Sequence, residues 1–136
     1  MEKLLQQLKQ DEGFRNIAYQ DSEGFLTIGY GHLLSNPITE RVATEILQDD
    51  VNTAIRDFAE LPHQFRRNLN ESRRRVILNM LFNLGLTKFL KFKKMIQAVI
   101  DENFEQAALE MLDSKVAQEQ ASNRYKRLAE IMKHGG

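Results

Sequence analysis

The chain has 136 residues, enough for one domain with its own core, and its 42% hydrophobic and 28% charged residues are typical of a folded globular protein. It contains no cysteine, which excludes disulfide scaffolds, thiol nucleophiles and cysteine-based zinc sites. Basic and acidic side chains number 19 each, so no global field attracts nucleic acid or an anionic membrane surface.

The first residues of the chain lack the apolar core of a secretory signal. No later stretch approaches the roughly 20 apolar residues of a membrane span. We therefore expect synthesis in the cytoplasm and no stable membrane association. No cluster of histidines and carboxylates has metal-ligand spacing, so no metal and no other cofactor is expected.

The N-terminal part of the chain predicts one helix followed by a hairpin. The helix carries a leucine stripe at helical spacing and ends near Glu12, because Gly13 offers a left-handed cap. From Ala18 the residues favour strands, and the Asp-Ser-Glu-Gly segment at 21–24 predicts the hairpin turn. This is the one convincing β segment of the sequence.

After the hairpin the sequence predicts only helices. Thr39 is expected to cap a long amphipathic helix. The segment from Ser72 to Leu84 is apolar nearly all round and predicts the central buried helix. Three further helical stretches are predicted, at Phe89 to Ile100, Phe104 to Leu112 and Asn123 to Met132.

This order of elements predicts a mostly helical α+β fold with the hairpin segregated at one end. We expect one domain over 1–136, with a hairpin lobe at roughly 14–58 and a helical lobe made of roughly 1–13 and 59–136. A cleft between the two lobes is the expected place for a ligand.

Two carboxylates stand out by position, Glu12 at a predicted helix end and Asp21 at the head of the turn. A chain reversal between them can direct both into one space. Glycosidic hydrolysis uses such a pair, one acid that protonates the leaving oxygen and one carboxylate across the bond. The spacing alone does not establish catalysis, because carboxylates at helix ends and turns commonly serve solvation and turn formation.

The second strand adds two features to this pair. Thr27 has a hydroxyl that could orient a water beside Asp21, although a β-branched residue in a strand needs no such role. Gly29 and Gly31 flank an aromatic residue, and glycines in a strand indicate a sharp bend or close approach of the backbone to another group. We expect something to pack or bind there.

Three blocks of the N-terminal part carry a resemblance, namely DEGFR at 11–15, YQDSEG at 19–24 and TIGYGHL at 27–33. Together they resemble the phage-type lysozyme family, and their combination of Glu, Asp and Thr is highly specific. Most of the chain is covered, because later segments resemble the family's later helices in the same order. These segments are 79–85, 104–108 and 123–127.

The resemblance implies a lysozyme-like fold and an endolysin-type muramidase. Such an enzyme hydrolyses the β-1,4 bond between N-acetylmuramic acid and N-acetylglucosamine in bacterial peptidoglycan. The family pattern implies that Glu12 is the general acid, Asp21 the second carboxylate and Thr27 the residue that positions the attacking water. It also implies inversion, which needs a carboxyl separation of about 6.5 to 9.5 Å.

The resemblance also assigns substrate-contacting and supporting residues. Leu33 and Phe82 match positions that touch the sugar from opposite sides of the cleft, and Gly31 is expected beside the substrate. Three ion pairs are implied as support, Arg124 with Glu12, Arg127 with Asp11 and His32 with Asp50.

The chain departs from the family pattern in its helical part. Val116 and the segment 120–124 replace an aromatic residue and a Gln-Thr-Pro-Asn-Arg stretch. Met95 and Glu110 stand where the family has small or amide side chains that contact glycan. Two related activities therefore stay open, a lytic transglycosylase and a silent glycan-binding relative. Retention of Asp21 and Thr27 argues against the transglycosylase.

The expected partner is the glycan strand of bacterial peptidoglycan, bound by a monomer. We expect the protein in the host cytoplasm, reaching the wall after a separate protein permeabilises the membrane and causing lysis there. Arginines and lysines near 66–75 and 88–94 could mark a nucleic-acid footprint. They flank the most apolar helix without interleaved aromatic residues, so no nucleic-acid partner is expected. An anionic wall polymer is the better match for them.

Overall fold

The structure is a computed structural model that describes residues 1–119 and 122–136. Its described part is mostly helical with one small antiparallel sheet near the N-terminus, which confirms the predicted fold class. No helix in these two ranges is long and apolar enough to cross a membrane. The elements are α1 (Glu2–Glu12), β1 (Arg15–Gln20), β2 (Leu26–Gly29), β3 (His32–Leu33), α2 (Glu40–Ala59), α3 (His63–Arg66), α4 (Glu71–Leu84), α5 (Leu86–Phe89), α6 (Lys93–Ile100), α7 (Phe104–Leu112), α8 (Lys115–Glu119) and α9 (Ser122–His134).

The chain divides into two compact units, Met1–Thr44 and Glu45–Gly136. The first contains α1 and the sheet, and α2 begins in it and continues into the second. The predicted lobes divide the chain differently, into a hairpin lobe at roughly 14–58 and a helical lobe at roughly 1–13 and 59–136. That division stays a prediction.

The sheet of the first unit is antiparallel, with β2 between β1 and β3. Thr27 pairs with Tyr19 on one side and with Leu33 on the other, which places it on the central strand. It is the buried residue of this unit, with 2% of its surface exposed. The predicted hairpin is confirmed, since β1 and β2 flank the turn at 21–24.

The second unit is built around α4, which confirms the central buried helix predicted at 72–84. Val76, Ile77, Met80 and Leu81 form its buried side. Phe82 is 41% exposed, so α4 is not buried all round. The residues of α6, α7 and α9 that complete the core are Met95, Ala98, Val99, Ala107, Met111, Tyr125, Leu128 and Met132.

One predicted helix is divided in the structure. The stretch 89–100 is not continuous, because α5 ends at Phe89 and α6 begins at Lys93. Phe92 has a ψ of 54°, outside the helical range, and its ring stacks on Phe89 with centroids 6.5 Å apart. The apolar residues that suggested one helix therefore lie in two shorter helices, α5 and α6, and in the tight turn that joins them.

Two short helices, α3 and α8, lie where the sequence predicted none. Ser114 caps α8, because its Oγ accepts a hydrogen bond from the Ala117 N–H at 3.1 Å. Ala117 is buried in the core. Tertiary burial therefore stabilises a helix too short to be recognised from sequence periodicity.

Candidate active site

Glu12 is the last residue of α1, as the sequence predicted. Gly13 follows with φ of 72° and donates its N–H to the Lys9 carbonyl at 3.0 Å. A left-handed φ at this point suits glycine, and it turns the chain from the helix towards β1. Glu12 is exposed, so its carboxyl is open to a ligand from solvent.

The Glu12 carboxyl lies directly against the backbone of Gly31, in the turn between β2 and β3. A methyl group in place of a Gly31 hydrogen would be 2.8 Å from Glu12 Oε2 and 3.1 Å from its Cδ. Gly31 also has φ of +75°, which side chains rarely adopt. The close approach expected from the paired glycines is confirmed, and the group that approaches is the predicted acid.

Three neighbouring side chains hold this turn beside the end of α1. The Phe14 and Tyr30 rings have centroids 5.5 Å apart, and Lys9 Nζ lies 5.6 Å from the Tyr30 centroid. Contacts of this kind stabilise by about 0.5–1.5 kcal/mol each. Sequence reasoning did not single out Phe14 or Lys9. The Gly-Tyr-Gly pattern was the one available signal, because it indicated packing at residue 30.

Asp21 organises the hairpin turn with one oxygen of its carboxylate. Oδ1 accepts hydrogen bonds from the N–H groups of Glu23 and Phe25, both at 2.9 Å. Its backbone N–H also donates to the Phe25 carbonyl at 2.9 Å. Oδ2 accepts no hydrogen bond from the residues that the structure describes, so it is available to a water or a substrate hydroxyl.

Thr27 is linked to Asp21 through Phe25. Its Oγ1 donates to the Phe25 carbonyl at 3.0 Å, while the Phe25 N–H donates to Asp21 Oδ1. The hydroxyl and the carboxylate are thus bonded to the carbonyl and to the N–H of the same residue. Because the Thr27 proton is used in this bond, its oxygen can only accept from a further partner.

Arg124, predicted to support the site, and its neighbour Tyr125 both have partners on α4. Arg124 Nε donates to Asn79 Oδ1 at 2.8 Å, and the Tyr125 hydroxyl donates to Asn83 Oδ1 at 3.1 Å. Burial raises the pKa of Tyr125, and the positive charge of Arg124 opposes that rise. Tyr125 therefore stays a neutral donor, and α9 is fixed on α4 at this point.

The remaining predictions for the site have different outcomes. Leu33 is half-buried on β3 and Phe82 is exposed on α4, and their sugar contacts stay predictions. Val116 belongs to α8, and its side chain lies outside the part of the chain that the structure describes. Residues 120–121 also lie outside the described ranges. Within the described ranges, no three His, Asp or Glu side chains converge to hold a metal ion.

The three ion pairs that the resemblance implies would each join a residue of one unit to a residue of the other, and they stay predictions. They are Arg124 with Glu12, Arg127 with Asp11 and His32 with Asp50.

Replacing Gly31 by alanine is expected to lower glycan-cleaving activity by about 100-fold, because a displacement of about 1 Å is enough to misplace a catalytic group. The added methyl group would displace the Glu12 carboxyl. Gly29→Ala is the matched control, since Gly29 has φ of +69° and nothing within 4 Å of the new methyl. Both variants should lose about 1–2 kcal/mol of stability from the positive φ.

Rates of reducing-end release and urea unfolding of both variants test this expectation. Equal activity in Gly31→Ala and Gly29→Ala would show that the contact with Glu12 does not position the carboxyl.

The family model described as phage lysozyme matches residues 9–130, which includes Glu12, Asp21 and Thr27. A probable T4-type lysozyme of Dictyostelium discoideum is 27% identical, covering 94% of this chain and 92% of that protein. An endolysin of Acyrthosiphon pisum secondary endosymbiont phage 1 is 34% identical over 65% of this chain and 61% of its own length.

A third relative is a spike protein. The pre-baseplate central spike protein Gp5 of Enterobacteria phage T4 is 26% identical over 76% of this chain, which corresponds to 23% of that protein. Similarity therefore extends to a spike protein as well as to lysozymes and endolysins, while the family match covers most of the sequence. With an exposed carboxyl at a helix end and a second one in the adjoining hairpin, the chain belongs to the phage lysozyme family and is a glycoside hydrolase, a lysozyme.

Proposed function

We propose that this lysozyme is a muramidase of the endolysin type. Its substrate is the β-1,4 bond between N-acetylmuramic acid and N-acetylglucosamine in peptidoglycan, and cleavage inverts the anomeric carbon. The observation that carries the proposal is the contact of the exposed Glu12 carboxyl with the backbone of Gly31. This contact leaves the Glu12 carboxyl at the surface of the unit that also carries Asp21.

In the proposed reaction Glu12 is the general acid. It donates its proton to the glycosidic oxygen as the bond to the anomeric carbon breaks through an oxocarbenium-like transition state. The lack of a side chain at Gly31 leaves room for the carboxyl, and the packing of Tyr30 on Phe14 holds that backbone in place. A preorganised acid needs little rearrangement when the sugar binds.

Asp21 and Thr27 are proposed to prepare the attacking water. Asp21 Oδ2 and Thr27 Oγ1 are both acceptors, since Oδ1 and the Thr27 proton are already bonded to the hairpin backbone. A water that donates one hydrogen to each directs a lone pair away from the hairpin, towards the anomeric carbon. Asp21 takes the proton as the new bond forms, so the carbon is attacked on the face opposite the leaving oxygen.

The cellular role that fits this activity is lysis of the host. Relatives named endolysin support it, with 34% identity over 65% of the chain in one case and 32% over 60% in a Salmonella phage P22 protein. We propose a cytoplasmic protein that reaches the wall after the membrane is permeabilised. It would act as a monomer on the glycan strand, with Leu33, Phe82 and Gly31 touching the sugar.

Asp21→Asn tests the hydrolytic mechanism. The amide keeps Oδ1, which can still accept from the Glu23 and Phe25 N–H groups, so the turn should be preserved. Loss of the base should lower activity by about 100-fold or more. Asp49→Asn, which removes the same charge from an exposed position on α2, should leave activity unchanged.

The products of the reaction discriminate the alternatives. The wild type should release hydrated reducing ends that first appear as the α-anomer, as NMR of freshly cleaved chitooligosaccharide or glycan fragments would show. An Asp21→Asn enzyme that stays active and yields anhydro ends would identify a transglycosylase. A β-anomer as first product would contradict inversion, and wall binding without cleavage would indicate a silent glycan-binding relative.

A further inference from the structure

The sheet carries a row of three side chains, of which the proposed reaction uses two. Thr27 on β2 is paired with Tyr19 on β1 and with Leu33 on β3. Paired residues of antiparallel strands share a face of the sheet, with Cβ atoms about 4.5–5.5 Å apart. Thr27 therefore has one neighbour in the row on each side. Leu33 is a predicted sugar contact and Thr27 is proposed to hold the attacking water, whereas the proposed reaction assigns nothing to Tyr19.

The burial of these three side chains agrees with the register. Thr27 has 2% of its surface exposed. Tyr19 is half-buried while the other residues of β1 are exposed, and Leu33 is half-buried while its neighbour His32 on β3 is exposed. The half-buried residue of each outer strand is therefore the one that lies beside Thr27.

The Tyr19 ring is held in turn by Arg15. The guanidinium carbon lies 4.5 Å from the ring centroid, a cation–π contact. These two residues are four positions apart on β1, whereas their partners on β2, Gly29 and Thr27, are two positions apart, so β1 is irregular between them. A regular strand would separate residues four apart by about 13 Å, and a bulge bends the strand and redirects a side chain. The irregularity thus lets Arg15 stack on the ring that lies beside Thr27.

The Thr27 side chain must keep one rotamer for its proposed role. Threonine has three staggered positions at χ1, and in the observed one Oγ1 donates to the Phe25 carbonyl at 3.0 Å. Rotation to either of the others would move the oxygen away from this carbonyl and release its proton. A single neutral hydrogen bond contributes only modestly to a conformational preference, so packing against the side chain has to supply the rest.

We propose that Tyr19 is a positioning residue of the lysozyme reaction. Its ring keeps the Thr27 hydroxyl bonded to the Phe25 carbonyl, so that Oγ1 stays in place as an acceptor for the attacking water. The proposal rests on the proposed function, because it concerns the water that Asp21 and Thr27 prepare. Tyr19 acts through Thr27 and is not expected to touch the sugar. Arg15 limits the movement of the ring from its other side.

Three-bond NMR couplings to the Thr27 methyl carbon test the proposal on the full chain without any requirement for activity, because they report the χ1 rotamer. The wild type and Tyr19→Phe, which keeps the ring, should show one rotamer, whereas Tyr19→Ala should show averaging. Tyr19→Thr keeps a residue that favours strands and replaces Tyr19→Ala if that variant does not fold. One rotamer in the variant without the ring would overturn the proposal.

Leu26→Ala is the matched control for the loss of the ring. It truncates a large side chain of the same hairpin that is 53% exposed and adjacent to Thr27 in sequence, on the opposite face of β2. The Thr27 couplings should stay those of a single rotamer in this variant. Averaging in Leu26→Ala to the same extent as in Tyr19→Ala would show a general loosening of the hairpin and would contradict a specific role of Tyr19.

Kinetics connect the rotamer to the reaction. Tyr19→Ala should lower kcat for reducing-end release about tenfold and change KM less than about twofold, because the loss concerns the attacking water and not binding. In a Thr27→Val enzyme, which has no hydroxyl to position, the same substitution should lower kcat less than about twofold. Equal losses in the two backgrounds would overturn the proposal.

Failure of the proposed function would appear separately. A wild type that releases no reducing ends, or a Thr27→Val enzyme as fast as the wild type, would contradict the proposed role of Thr27 itself. The couplings of the Thr27 methyl carbon would still decide whether Tyr19 fixes that side chain.

Discussion

Glu12→Gln is expected to lower the rate of reducing-end release from purified peptidoglycan by about 100-fold or more, because the amide has no acidic proton to give to the leaving oxygen. Glutamine matches the carboxyl in size, so it can occupy the same position against Gly31. The side chain is exposed, and its replacement should leave the thermal unfolding midpoint nearly unchanged. Initial rates at several substrate concentrations provide the measurement.

Glu2→Gln is the control for this substitution. It makes the same chemical change on the same helix, in the first turn of α1 and away from the Gly31 contact. Activity of this variant should equal that of the wild type. A Glu12→Gln enzyme that retains more than about one-tenth of the wild-type rate would exclude Glu12 as the general acid.

Phe89→Ala is expected to have the largest effect on stability, a loss of about 3–5 kcal/mol in the free energy of unfolding. Phe89 is fully buried, and its ring centroid lies 6.3 Å from Phe65 and 6.5 Å from Phe92. Removing the ring would leave a cavity where α3, α5 and the start of α6 meet. Urea unfolding followed by far-ultraviolet circular dichroism measures the loss.

The neighbouring residue supplies the comparison. Leu90 is 44% exposed, so Leu90→Ala should lose less than about 1.5 kcal/mol. Similar losses at the two positions would contradict the central place of Phe89 in the core. The expected difference depends on the turn between α5 and α6, which directs one side chain inwards and the next outwards.

Local signals explain which elements were predictable from sequence. Gly13 ends α1, the segment 21–24 forms the hairpin turn, and the Thr39 hydroxyl accepts from the Val42 N–H at 3.2 Å at the start of α2. Each of these features depends on residues a few positions apart. Glycine conformation, turn formation and helix capping are decided at that range, so the sequence reveals them.

Features that depend on distant contacts were not predictable. The break between α5 and α6 follows from packing of Phe92 on Phe89, and apolar periodicity alone cannot distinguish that packing from a continuous helix. The cavity between α4, α6 and α7 is similar, because Lys115 joins four lysines at 88–94 there only through the packing of α7 against α6. Along the sequence those lysines resembled the solvated ends of an apolar helix.

The candidate site combines both kinds of information. The Gly-Tyr-Gly pattern indicated a close approach at Gly31, but it did not indicate that the approaching group is the Glu12 carboxyl. Asp21 was expected either to form the turn or to take part in catalysis. The structure shows that one oxygen forms the turn and leaves the other available. A side chain with two equivalent oxygens can serve both purposes, so the two interpretations do not exclude each other.

Mass analysis of the fragments released from purified peptidoglycan, by the wild type and by Glu12→Gln in parallel, tests the proposed muramidase most directly. Hydrated reducing-end muropeptides should appear with the wild type and be nearly absent with Glu12→Gln. Anhydro ends from the wild type, equal release by both proteins, or no release by the wild type would contradict a hydrolase that acts through Glu12.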